Sequence, residues 1–270
     1  METLRILDKI YSYQDFAPLL ISPAKITINK DSKKRIRESY NRLTDIISSG
    51  HTVYGVNTGF GRLSQIKIDK EDQRKLQLNL IRSHSAGVGD NLDAGIIRVA
   101  MALKLLNYSQ GYSGVHPDTA SQLIKFVNND LIPVVPEKGS VGASGDLAPL
   151  AHIASALIGE GKIMHNKKIS RSKILLKRMD INPLTLHQKD GISLVNGTQV
   201  STAIAIKTLY NSSIILDSAD AVGALSVETS LSSRDTFKAS IHKLKKHKGQ
   251  TISAKNIWRM TKDSEIVSSH

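Results

Sequence analysis

Apolar residues recur at helical spacing along most of this chain. Between Asp31 and Gly50, Ile36, Tyr40, Leu43 and Ile47 follow one another at intervals of four, three and four. That spacing lays one apolar stripe along a helix, with a capping residue before it and a glycine after it. The same pattern predicts helices over 70–83, 92–109 and 117–129. The last opens His116-Pro117-Asp118, and proline suits a first helical turn because the N–H it lacks would have no partner there.

The exceptions to this rhythm are informative. Gly55 to Gly61 is a glycine-rich bend too irregular for a helix, and its spacing is not a dinucleotide fingerprint. It presents Tyr54 on a loop or turn. Residues 160–176 predict a short hairpin turning at His165-Asn166. From Thr198 to about Ser230 the chain is rich in Ala, Ile, Leu and Val without proline, which predicts one long helix, largely buried by neighbours. Some thirty helical residues extend roughly 45 Å, more than a compact domain of this size needs, so much of that helix is expected to pack against other long helices. The chain supplies few of those. The fold class is therefore mainly α: a helical N-terminal domain over 1–197, then the first part of a helical bundle over 198–270.

Composition narrows the function classes. At 270 residues and 40% hydrophobic content the chain can bury a core. It has no run of eighteen apolar residues, and Met1-Glu2-Thr3-Leu4-Arg5 lacks the pattern of a secretory signal, so no membrane role and a cytoplasmic location are expected. Zero cysteines exclude disulfide and thiolate chemistry. The net charge of +13 raises nucleic-acid binding. Many of its lysines, however, sit in 162–189 and 234–262 without an aromatic-interleaved recognition motif, which reads as a solvated basic surface.

The chemistry concentrates in Gly139-Ser-Val-Gly-Ala-Ser-Gly-Asp-Leu-Ala-Pro-Leu150. Gly145 has no side chain to stop its amide nitrogen folding back on the Ala143 carbonyl, and the flanking glycines permit the dihedrals a compressed turn needs. Loss of water from that adduct and from the Ser144 side chain leaves a five-membered imidazolone ring with an exocyclic methylene, a strong electrophile. The plainer reading is a helix start with Ser144 as N-cap and Asp146 favouring the helix dipole. Both can hold together.

Gly139 to Ala151 resembles, at thirteen consecutive positions, the prosthetic-group motif of the aromatic amino acid ammonia-lyases. Tyr54-Gly-Val-Asn-Thr-Gly-Phe-Gly61 upstream and Leu194-Val-Asn-Gly-Thr198 downstream match in the expected order. The resemblance implies an ammonia-lyase/fumarase-like helical fold. It implies a 4-methylidene-imidazol-5-one formed autocatalytically from Ala143-Ser144-Gly145, with no metal or dissociable cofactor. It also implies a homotetramer whose sites combine several subunits. By the same resemblance Tyr54 handles a proton or ammonia and Asn196 lies in the active site, its amide suited to holding a carboxylate or orienting the ring. Ser83-His84 resembles the pair of histidine ammonia-lyases, and an imidazole substrate needs a hydrogen-bonding partner such as His84. His116, His152 and His187 are read as structural.

The expected activity is thus elimination of ammonia from L-histidine to trans-urocanate, in histidine degradation. The alternatives are a lyase or aminomutase acting on tyrosine or phenylalanine, against which Ser83-His84 speaks, and a non-catalytic subunit of a complete paralogue. The family's members run to roughly double this length. Their Tyr-Ser-x-Arg-Cys-x-Pro-Gln segment, which serves proton transfer and carboxylate binding, and a later glutamate have no counterpart here. A fragment, a gene split into two chains with a complementary C-terminal half, and a remnant all remain open.

Overall fold

The computed structural model describes residues 2–269, with Leu63 described by its backbone alone. The chain separates into two compact units, 1–207 and 208–270.

In the first unit two parallel strands, β1 (Thr3–Ile6) and β2 (Lys25–Ile28), bracket α1 (Ala17–Ile21). Helix α2 (Lys30–Ser48) follows, with Asn29 as its N-cap accepting from the Ser32 N–H at 2.7 Å. Its expected stripe is present: Ile36 and Leu43 are buried and Tyr40 and Ile47 half-buried. Next come α3 (Lys70–His84), β3 (Val88–Asn91), α4 (Ala94–Ser109) and α5 (Pro117–Asn128). The His116 side chain caps α5 by accepting from the Asp118 N–H. Helix α4 is buried around most of its circumference. It forms the centre of the core, with Ile97, Val99, Ala100, Met101 and Leu105 fully buried among α1, α2 and α5.

Strands β4 (Ile132–Pro133) and β5 (Pro136–Lys138) lead to the loop before α6 (Leu147–Leu157). A hairpin, β6 (Lys162–His165) and β7 (Lys168–Arg171), extends β4 into a three-stranded antiparallel sheet, while β5 pairs with β3. The hairpin turns at Asn166-Lys167, one residue beyond the expected position. Both residues have positive φ, at 49° and 61°, as the two-residue turn that matches strand twist requires. His165 stays extended and pairs with Lys168. Helices α7 (Ser172–Arg178) and α8 (Asp190–Val195) complete the unit, and α3, α6 and α8 pack on one another.

The predicted long helix is α9 (Gln199–Thr229), in which the division between units falls. Its burial changes along its length. Val200, Ala203 and Ile206 are buried, but Ile215, Leu216, Val222 and Leu225 are each 59% exposed or more. A helix of this length outruns the side chains that this chain places beside it. The second unit adds α10 (Ala239–Lys245), α11 (Lys248–Met260) and α12 (Glu265–Ser268). Here Asn256 donates to Asp220 at 2.8 Å, and Arg234 stacks on Trp258 at 3.8 Å. No helix among the described residues is long and apolar enough to cross a membrane.

Candidate active site

Four segments of the first unit converge on one cavity of about 330 Å³, lined among others by Tyr54, Phe60, His84, Ser144, Ile192 and Asn196. A larger recess of about 650 Å³, beside Arg35 and Arg42, contains none of the motif residues.

Tyr54 comes from the loop before α3. Main-chain bonds there are few, chiefly the Gly59 N–H to the Ile66 carbonyl and the Ile68 N–H to the Asn57 carbonyl, so side chains satisfy much of the remaining backbone. Asn57 accepts from the Val53 N–H at 2.7 Å and donates to the His51 carbonyl at 2.8 Å, while Thr58 accepts from the Gly55 N–H. Gln77, fully buried in α3, donates to the Gly55 carbonyl at 2.9 Å and accepts from the Ile192 N–H at 2.9 Å, tying the loop to α8. Tyr54 is left 57% exposed, edge-on to Phe60, and its Oη accepts from the Gly61 N–H at 3.3 Å.

His84 ends α3. Its Nδ1 lies 2.9 Å from the Leu80 carbonyl. Because a carbonyl can only accept, this contact puts the hydrogen on Nδ1 and leaves Nε2 as the acceptor. Ser83 Oγ bonds the same carbonyl at 3.1 Å; Ser83 is exposed and does not line the cavity. His84 alone of that pair does.

Ala143 and Ser144 are exposed on the loop before α6, and Gly145 is half-buried. Gly142 and Gly145 have φ of 72° and 92°. A Cβ on Gly145 would stand 2.4 Å from the Gly197 carbonyl oxygen, so any other residue would push the two segments apart. This seam is closed by a parallel bridge between Gly145 and Gly197 and by the Asp146 N–H donating to the Gly197 carbonyl at 2.7 Å. The N-cap of α6 is Asp146, not Ser144, which leaves Ser144 facing the cavity. The buried Asp146 carboxylate accepts from Ser140 Oγ and from both the N–H and Oγ of Ser201 in the first turn of α9, an N-terminus that favours a carboxylate. Asn196 follows α8 in extended conformation, exposed, with no partner for its side-chain amide among the described residues.

Two features escape the sequence motifs. Lys104, buried within α4, donates to the Asn196 carbonyl at 2.6 Å, and no local sequence pattern separates it from Arg98, the other buried cation of that helix. An adjoining recess of about 330 Å³ shares Tyr54, Ile192 and Asn196 and adds Lys189.

Of the remaining histidines, His152 Nε2 accepts from the Gly87 N–H at 3.0 Å, fastening the strand-like segment after His84 to α6. His116, Asp118 and His187 lie within metal-ligand reach of one another. The two imidazoles are stacked at 3.8 Å with planes 18° apart, so their in-plane lone pairs run side by side and do not converge on one ion. His116 Nδ1 is also already engaged in capping α5.

The chain matches the aromatic amino acid lyase family over residues 12–270. It is 42% identical to the histidine ammonia-lyase of Vibrio cholerae over 251 residues, 92% of this chain and 49% of that protein. The structure of histidine ammonia-lyase from Trypanosoma cruzi superposes with a TM-score of 0.87 at 32% identity, over 95% of this chain and 50% of that one. Tyrosine aminomutase from Streptomyces globisporus superposes at 0.91 and 30% identity, over 96% and 49%. The chain spans about half the length of the curated relatives it matches. Its motifs, its helical fold and these likenesses together make it a member of the aromatic amino acid lyase family.

Proposed function

We propose that this chain supplies the prosthetic-group half of a cytoplasmic histidine ammonia-lyase, which eliminates ammonia from L-histidine to give trans-urocanate. The observation that carries the reading is the single cavity shared by Ser144, Tyr54, His84 and Asn196. Likeness at about 40% identity to proteins named histidine ammonia-lyase supports the choice of substrate.

The residues around Ala143-Ser144-Gly145 fit a methylidene-imidazolone. The tripeptide stands free of packed side chains, the glycine is held at an approach no Cβ allows, and Ser144 is turned to the cavity. When formed, that group supplies the electrophile that makes the substrate amine a better leaving group. The chain's own side chains do the rest. His84 accepts a ring N–H of the substrate through Nε2. Asn196 offers its amide to the substrate carboxylate or to the prosthetic ring. The Tyr54 hydroxyl accepts from Gly61 and so keeps its own hydrogen to donate into the cavity, as proton handling requires. In this reading the remaining proton-transfer and carboxylate-binding groups come from beyond these residues, in a longer chain or a complementary chain, within a homotetramer.

A second reading, an aminomutase or lyase acting on tyrosine or phenylalanine, draws on the structural likeness to tyrosine aminomutase. A substrate panel separates the two. The assembled enzyme with its second half should prefer L-histidine, and replacing Ser83 and His84 by apolar residues should erode that preference by about two orders of magnitude or more, because polar groups of the site lose their partner. The 270-residue chain by itself, as control, should show little turnover. Better turnover of phenylalanine or tyrosine by the unmutated enzyme would overturn the histidine assignment.

A further inference from the structure

Lys104 is a cation in a helix otherwise built to be buried. It is 3% exposed, and a buried ammonium persists only where polar partners hold it. Nζ donates to the Asn196 carbonyl at 2.6 Å and to Oε1 of Gln199 at 3.2 Å, and Asp146 is the charged group facing it. These partners lie on both sides of the Gly145–Gly197 seam.

The peptide between Asn196 and Gly197 enters that seam. Gly197, at φ 139°, has no Cβ to resist rotation, and the Asn196 side chain has no partner among the described residues. The Asn196 N–H is fixed to the Ile192 carbonyl, so the carbonyl on its other side decides how Asn196 presents its amide. Lys104 holds that carbonyl. We infer that Lys104 is a positioning residue that locks the Asn196–Gly197 peptide and thereby aims the Asn196 amide at the substrate and the ring-forming tripeptide. The inference rests on the ammonia-lyase reading, since it gives Lys104 a part in that site.

Desolvation pulls the Lys104 ammonium down to about 7, with Asp146 opposing the shift. As pH rises through that value the cation becomes a neutral amine, a weaker donor to the carbonyl, and the lock loosens.

The test uses the complete assembled enzyme as wild type, Lys104→Met and Lys104→Arg. It measures kcat and KM for L-histidine against pH, melting temperature, and water loss from the tripeptide by intact mass. Lys104→Met should complete the ring yet lose about 100-fold in kcat, the cost of a misplacement of about 1 Å, with KM changing by less than about tenfold. Lys104→Arg, charged at every pH used, should recover most of kcat near pH 7 and hold it into alkaline solution where the wild type declines. Wild-type kcat and KM in a folded Lys104→Met variant, or equal losses in both variants, would overturn the inference. If Lys104→Met does not fold, an alkaline limb unchanged in Lys104→Arg overturns it instead. A wild type that neither loses water nor consumes histidine defeats the underlying reading and this inference with it. Wild-type turnover beside an indifferent Lys104→Met variant defeats this inference alone.

Discussion

The loop carrying Ser144 and the loop carrying Tyr54 face the same cavity and are fixed by opposite means. Residues around Gly145 are held by main chain lying directly on main chain, with room for no side chain between Gly145 and Gly197. Residues 53–61 have a single main-chain bridge, Thr58 to Lys67, and depend for the rest on the side chains of Asn57, Thr58 and above all Gln77. The first arrangement leaves Ala143 and Ser144 bare, which suits the ring closure proposed for the tripeptide. The second fixes Tyr54 without enclosing it, which suits the substrate-facing role proposed for that side chain. The first loop should therefore break when atoms are added, the second when they are removed.

The largest effect is expected from adding one carbon. Gly145→Ala places a Cβ against the Gly197 carbonyl at a φ that L-residues rarely adopt. It should stop ring closure, leave the unmodified mass, and cost about three orders of magnitude or more in turnover of the assembled enzyme. Near-normal water loss in this variant would show that the close approach is incidental.

Removing atoms from the other loop should act on stability. Gln77→Leu leaves the Gly55 carbonyl and the Ile192 N–H without their partner in a buried place. The expected cost is about 3 kcal/mol, read as a lower denaturant midpoint, with the ring still formed. An unchanged midpoint would mean that the loop is held otherwise.

The smallest effect is a pH dependence beside His84. Burial lowers the pKa of His152, whose Nε2 accepts from the Gly87 N–H. The unfolded state binds the extra proton first, so this contact contributes stability above the ordinary histidine value near 6.5 and loses it as pH falls below that. His152→Gln, which keeps an acceptor, should flatten the dependence below about pH 6.5. An equal acid dependence in both proteins would assign it elsewhere.

Much of this was legible in the sequence. The stripe Ile36, Tyr40, Leu43, Ile47, the proline opening α5, and the long unbroken run of α9 each obey one local rule, and each gives the expected element. The family resemblance carried by Gly139 to Ala151 agrees with the match over residues 12–270. What periodicity could not supply was tertiary choice. The hairpin turn moved by one residue because Asn166 and Lys167 take the left-handed conformation while His165 stays in the strand. Asp146 displaced Ser144 as cap because its backbone is pinned to Gly197. Gln77 and Lys104 act through partners far away in sequence, Gly55 and Ile192 for one and Asn196 for the other, and no local pattern marks such pairs. The neighbours expected for α9 are other long helices, and apolar composition states that a helix needs them, not which chain supplies them.

The most direct test of the central claim is the intact mass of this chain taken from a preparation that converts L-histidine to urocanate, measured beside Ser144→Ala. The account predicts a wild-type mass lower than the sequence by two water molecules, and a Ser144→Ala chain that forms no methylene and does not turn over. An unmodified wild-type mass in an active preparation would contradict it.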